Sequence, residues 1–390
     1  MNTFMKHKDI SKAAAIIAAS LCFVSCNKQE DISVPQTDGS APIVLTSYDM
    51  QSKGLDDLNY ESIKTARFGL FAYWNMKGER FDGIDNPFNL YLDNSDVQYV
   101  ESEGSINYWK CSPSAYWPFN SWLNFFAYAP YQSKVRKDTG DKTDPTVQFP
   151  SEDYVKGMPR LRYTVPENVT WQPDFCVAAP VFDRSASDGN IHIEFFHTLT
   201  RVRFYVNLSG EKPDNYEYFI SDLTIKGVVG SNILTYSDNP EKPYIWDRIN
   251  PENPKTASYN LSPSGEYLQL TTLPLKFENL LDPSVTGLDR YSYVNEMANG
   301  RLYLLPQEIT EEATVEVSLA IYKNIAGSLS LVTILPPYEF HLPVNVPWKD
   351  AKTVSYLMTL DISGTKESDI TPVISDWVDA GNEHFEKDYE

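Results

Sequence analysis

Sixteen residues, "YWPFNSWLNFFAYAPY" (Tyr116 to Tyr131), hold eight aromatics and two prolines. In an extended strand the side chains alternate, so Leu123, Phe125, Ala127 and Ala129 share one face. Trp122, Asn124, Phe126 and Tyr128 share the other. Both faces are mainly apolar, which suits a strand covered by protein on each side. A platform for stacking sugars would display aromatics on a polar, exposed face, and neither face here is polar. Trp117-Pro118 reads as the turn that feeds the strand, and Ala129-Pro130 as its stop.

The rest of the chain repeats the theme. Runs such as "RFGLFAYW", "FCVAAPV", "NIHIEFF", "RVRFYVNL", "YFISDLTIKGVV" and "SLSLVTILP" are separated by Pro, Gly, Asn and Asp. The cleanest alternation is "ATVEVSLAIY", with Val315, Val317, Leu319 and Ile321 on one face and Thr314, Glu316, Ser318 and Ala320 on the other. Only Leu55 to Thr65 suggests a short helix. About a dozen short strands without helical crossovers imply antiparallel sandwiches or barrels, not a parallel α/β fold. The length accommodates two such domains. The polar stretch "NLSGEKPDNYEY" (Asn207 to Tyr218) is the best boundary, giving domains at 43–210 and 211–390.

The N-terminus carries an export signal. Lys6, Lys8 and Lys12 precede an apolar run from Ala13 to Val24, too short to span a bilayer as a mature helix. "FVSC" resembles a lipobox, which predicts cleavage after residue 25, lipidation of Cys26 and a lipid anchor in the outer membrane. Residues 26–42 are polar and turn-rich and read as a flexible tether. Net charge is −20, and about −22 without the leader. A chain this acidic excludes nucleic acid and anionic headgroups as partners. Cys111 and Cys176 remain beyond the lipidation site; they could form one disulfide in an oxidising compartment, while Cys176, inside "FCVAAPVF", reads as a buried free thiol.

Signals for chemistry are sparse. The sequence has no HExxH, GxSxG, P-loop or dinucleotide fingerprint. His192 and His197 in "HIEFFH" are five apart, on opposite faces of one strand, and cannot jointly hold a metal. Asp93, Asn94 and Asp96 lack the spacing of a calcium loop and read as a turn. No catalytic residue, metal site or cofactor is expected.

Several stretches, in order, carry a resemblance. Trp117-Pro118 followed by "LNFFAYAPY" is similar to the fimbrillin family, the type V pilin subunits and fimbrillin-like lipoproteins of the Bacteroidales. "RFGLFAYWN", "DNSDVQYVESEGSINYWKCSPSAYWP", "PDFCVAAPVF" with "IHIEFFHTLTRVRFYV", "RLYLLPQEI" and "VPWKDAKTVSYLMTLDI" with "TPVISDW" agree with it along residues 41 to 378. The resemblance implies two transthyretin-like antiparallel β-sandwich domains in tandem and no catalysis. It also implies assembly with other pilin subunits by β-strand addition. "PIVLTSYDM" resembles the N-terminal strand that a trypsin-like protease removes, with the cut at Lys53-Gly54 and Arg67 as a second candidate. The donor strand would lie in residues 370–378, with Val373, Ile374 and Trp377. That segment is short for a stalk subunit, which suits a tip or accessory role; the ligand on a host or bacterial surface is not written in the sequence. The competing reading is a surface glycan-binding lipoprotein of a polysaccharide-uptake system, stacking sugars on Trp74, Trp109, Trp171 or Trp246.

Overall fold

The structure, a computed structural model, describes residues 41–47, 60–84, 89–101, 108–133, 146–148, 158–210, 213–249, 254–262, 265, 267–270, 292–298, 302–363 and 368–376. The chain is nearly all-β; among the described residues there is one short α-helix, α1 (Tyr60–Ala66), ahead of the second strand. The first five strands are β1 (Val44–Ser47), β2 (Phe68–Met76), β3 (Leu90–Val100), β4 (Tyr108–Ser112) and β5 (Ser121–Ala129).

These strands belong to one nine-stranded sheet. Its order runs Ile191–Ile193, β1, β4, β3, β2, β5, Cys176–Ala178, Phe195–His197, and Val181–Arg184 also pairs with β5. The two ends of that path, Ile191–Ile193 and Phe195–His197, are separated in sequence by Glu194 alone. One residue bridges only a few ångströms. The sheet therefore curls until its edges meet, forming a barrel-like body. Its interior is filled by Ile43, Leu45, Phe68, Leu70, Val97, Trp109, Leu123, Phe125 and Ile191 among others.

The aromatic strand β5 is buried from Leu123 to Ala129, as its two apolar faces predict. Leu123, Phe125, Ala127 and Ala129 point into the barrel. Phe126 and Tyr128 point outward, into a second and larger core. That second core is built by three further sheets, of five, six and four strands. Tyr236 reaches across from one of them to donate to the carbonyl of Ala127 at 2.7 Å.

The changeover between the barrel and these sheets falls earlier than residue 210. Thr200–Ser209 pairs in parallel with Lys352–Asp361 along its whole length, from Thr200↔Lys352 to Ser209↔Asp361. It therefore belongs with the C-terminal strands, while Arg160–Thr164 pairs with Ser231–Tyr236 across the expected boundary. The polar residues after Ser209 join two strands of the C-terminal part. Most ladders are antiparallel; among the described residues, the pairing of β1 with Ile191–Ile193 is also parallel. The alternating strand Thr314–Ile325 buries Val315, Val317 and Leu319 as expected, and also Ala320.

Gly69 shows how tightly β2 and β5 meet. It pairs with Tyr128, whose hydroxyl donates to Asn94 Oδ1 at 2.8 Å. A Cβ on Gly69 would lie 2.2 Å from Tyr128 Cε1 and 2.6 Å from Asn94 Oδ1. Only glycine leaves room for that ring and its hydrogen bond. Gly69→Ala is expected to cost about 1–3 kcal/mol of unfolding free energy in urea melts; an unchanged midpoint would show that the ring does not lie over this backbone.

Candidate functional site

The strand β1 sits inside the barrel wall. It pairs on one side with Ile191–Ile193 (Leu45↔Ile191, Thr46↔His192) and on the other with β4 (Val44↔Lys110, Leu45↔Trp109). Just ahead of it, Ile43 N donates to Ala115 O at 2.8 Å and Trp117 N to Ala41 O at 3.0 Å. Ala41, Ile43 and Leu45 insert into the barrel core beside Trp109, Cys111 and Trp117. Each fully buried aliphatic side chain of this kind contributes on the order of 1.5–3 kcal/mol. Lifting β1 out would therefore open a slot bordered by two unpaired strands and floored by apolar side chains.

Cys111 lies in that floor. It is buried, and burial together with the nearby Asp96 charge pushes its thiol pKa up to about 12. Cys176 is also buried, and no disulfide joins the two. The expected processing residues Lys53 and Gly54 lie outside the described residues, between β1 and α1, as does the lipidation residue Cys26. Arg67, the second candidate for processing, is held by Asp96 at 2.7 Å and by the Tyr131 ring. It directly precedes the buried Phe68 of β2.

The C-terminal candidate strand behaves differently from β1. Asp369–Asp376 pairs antiparallel with Lys352–Asp361 of the same chain, from Thr359↔Asp369 to Lys352↔Asp376. It is the last strand in the order of its sheet. Val373 is half-buried and Ile374 is 50% exposed, while Trp377 lies outside the described residues.

The sequence reading missed one polar cluster. Cys176 and His197 stand directly opposite each other in an antiparallel pair, and Asp174, two residues before Cys176, lies on the same side. Asp174 Oδ2 is 2.8 Å from His197 Nδ1, and Cys176 Sγ is 3.5 Å from that same nitrogen. His192 is exposed on another strand and takes no part. Because thiol and carboxylate both address Nδ1, the imidazole cannot take a proton from the thiol on one nitrogen while the carboxylate orients the other. A nucleophilic triad needs that division.

The four tryptophans do not form one platform. Trp109 is 2% exposed and lies in the barrel core. Trp246 is half-buried and donates to Thr198 O at 3.0 Å, Trp74 packs partly against the barrel core, and only Trp171, 74% exposed, stands clear.

The profile of a family described as fimbrillin-like matches residues 63–377. The chain belongs to this family. It is 22% identical to the fimbrium subunit Fim1C of Phocaeicola vulgatus over 380 residues, 91% of this chain and 93% of that one. Its fold is similar to the crystal structure of a fimbrial protein from Bacteroides vulgatus, with a TM-score of 0.57, 17% identity, and 86% and 99% of the two chains covered. Among the described residues no helix is long and apolar enough to cross a membrane.

Leu45 anchors β1 most deeply. Leu45→Ala is expected to lower the unfolding free energy by about 2–5 kcal/mol, read by thermal or urea unfolding of the uncut chain. A loss below about 1 kcal/mol would mean that β1 does not occupy the barrel wall in solution.

Proposed function

We propose that this fimbrillin-like chain is an exported subunit of a surface fimbria, tethered through a lipid on Cys26 and assembled by strand exchange. In this reading a trypsin-like protease cuts at Lys53-Gly54, β1 leaves its slot, and a strand from the next subunit replaces it. The observation that carries the reading is the seat of β1: an interior strand, paired on both sides, preceding the segment that contains Lys53. The donor would be the C-terminal strand with Val373, Ile374 and Trp377. As an edge strand of eight residues it is longer than the four of β1 and has one ladder to give up, not two. Its modest length and its exposed Ile374 favour a tip or accessory position over the stalk. The barrel and the C-terminal sheets correspond to two tandem β-sandwich domains.

A second feature supports burial against a neighbouring subunit. Ser328–Ile334 is a sheet-edge strand exposed along its whole length, and it contains no charged residue. Leu329, Leu331, Val332 and Ile334 are each about half exposed. Monomeric proteins usually protect such an edge with a charge or a proline. Replacing Leu329 and Leu331 by Lys is expected to change monomer stability by no more than about 0.5 kcal/mol and to weaken subunit association in sedimentation. Unaltered association would remove this strand from the assembly surface.

The main test is limited trypsin treatment of the delipidated chain, with iodoacetamide present and the labelled peptides identified by mass. The expected outcome is a single early cut near Lys53, then labelling of Cys111, which stays unlabelled in the uncut protein, then SDS-resistant ladders. A chain that stays uncut and monomeric refutes the polymerising role.

A further inference from the structure

We propose that Asp174, Cys176 and His197 form a binding site for one zinc(II) ion at the edge of the barrel. This goes beyond fimbrial assembly and does not depend on it. The backbone alone brings the three donors together. His197 faces Cys176 across the ladder between Cys176–Ala178 and Phe195–His197, and cross-strand partners project to the same side. Asp174 sits two residues earlier, in phase with Cys176.

The distances suit a small tetrahedral ion. One ligand atom from each residue lies within 4.8 Å of the other two. Cys176 Sγ is 3.5 Å from His197 Nδ1 and 3.7 Å from Asp174 Oδ1. Donors held at about 2.0–2.1 Å (N, O) and 2.3 Å (S) from zinc in tetrahedral geometry stand roughly 3.3–3.7 Å apart. The sulfur separations already fit. Asp174 reaches His197 Nδ1 through its other oxygen, Oδ2, at the hydrogen-bond distance of 2.8 Å, so binding would require the carboxylate to turn and present one oxygen to the ion, about 3.3–3.4 Å from Nδ1.

Charge points the same way. The Asp174 side chain is 2% exposed and that of His197 10%, and Cys176 is fully buried. Asp174 already has His197 Nδ1 as a partner at 2.8 Å, and a thiolate beside that carboxylate would add a second negative charge in a desolvated place. A dication balances both, and the thiol proton leaves to solvent as it binds. Sulfur, nitrogen and oxygen donors together favour zinc over calcium or magnesium, which take oxygen. The hydroxyl of Tyr163, a wholly buried side chain, has no hydrogen-bond partner among the described residues. Thr198 Oγ1 donates to Phe175 O at 2.6 Å and Tyr244 OH to His197 O at 2.9 Å, so the backbone on both sides of the site is fixed.

The test uses the full uncut chain, stripped with chelator and then dialysed against zinc(II) and desalted. Elemental analysis is expected to return one zinc per chain, and cobalt(II) in its place is expected to give a thiolate-to-cobalt charge-transfer band. Cys176→Ser should abolish that band, and His197→Ala or Asp174→Asn should weaken zinc affinity at least about tenfold. A band that survives Cys176→Ser overturns the site. Because a variant could fail to fold, the wild type is also heated with zinc and with chelator. Substoichiometric zinc, or an unfolding temperature that zinc leaves unmoved, overturns the proposal whatever the variants do.

Discussion

The architecture depends on the ladder between β2 and β5, from Gly69↔Tyr128 to Met76↔Ser121. A strand with apolar side chains on both faces requires two cores, one on each side. The inward face of β5 is satisfied when the nine-stranded sheet curls and closes through Glu194. The outward face, Phe126 and Tyr128, is still uncovered by that closure. It is covered because Phe175, just ahead of Cys176–Ala178, and the four-stranded sheet carrying Tyr163 and Tyr236 pack there. Phe126 meets Tyr236 edge-on at 5.2 Å, and Tyr128 lies 6.2 Å from Phe175. The outer face of the barrel wall and the C-terminal sheets therefore share the larger core, while the barrel interior forms its own.

Against that fixed centre, β1 and the C-terminal strand are held in opposite ways. β1 is short but has ladders on both sides and two fully buried aliphatic anchors, Ile43 and Leu45. The C-terminal strand is longer, but it has one ladder and a half-exposed Ile374. Ladder hydrogen bonds exchange with water at modest net cost, about 0.5–1.5 kcal/mol each, whereas exposed core surface does not recover. An emptied β1 slot is thus the high-energy species, and the edge strand is the cheap one to release. The difference would give the proposed strand exchange its direction, with the slot as acceptor and the edge strand as donor.

Much of this was legible in the sequence, for identifiable reasons. Alternation in "SWLNFFAYAP" and "ATVEVSLAIY" reports burial directly, because each side chain's face follows from its position. The ordered motifs pointed to the family, now supported by a match across residues 63–377. Long-range pairing was not legible. Nothing local marks Thr200–Ser209 as the partner of Lys352–Asp361, some 150 residues away. The polar turn after Ser209 looks the same whether it links domains or successive strands. Trp109 and Trp171 are indistinguishable as letters, and only packing buries one and exposes the other. The Asp174-Cys176 spacing was visible as an in-phase pair, but His197 joins it only through register. Reading His192 and His197 as one continuous strand concealed that.

Glu194 gives the barrel a seam with two sides. On one side lies Ile191–Ile193, which borders β1; on the other lies Phe195–His197, which carries the third member of the polar cluster. A barrel that gives up an interior strand next to its seam loses the ladder holding Ile191–Ile193. The neighbouring segment must then stay anchored by something that strand does not supply. Phe195–His197 has its own ladder to Cys176–Ala178, and Trp246 and Tyr244 hold the backbone at Thr198 and His197. A cross-link between Asp174, Cys176 and His197 would strengthen that anchor where the chain leaves the barrel for the C-terminal sheets. Were β1 to leave, this anchored end of the seam would confine the opening to the β1 slot.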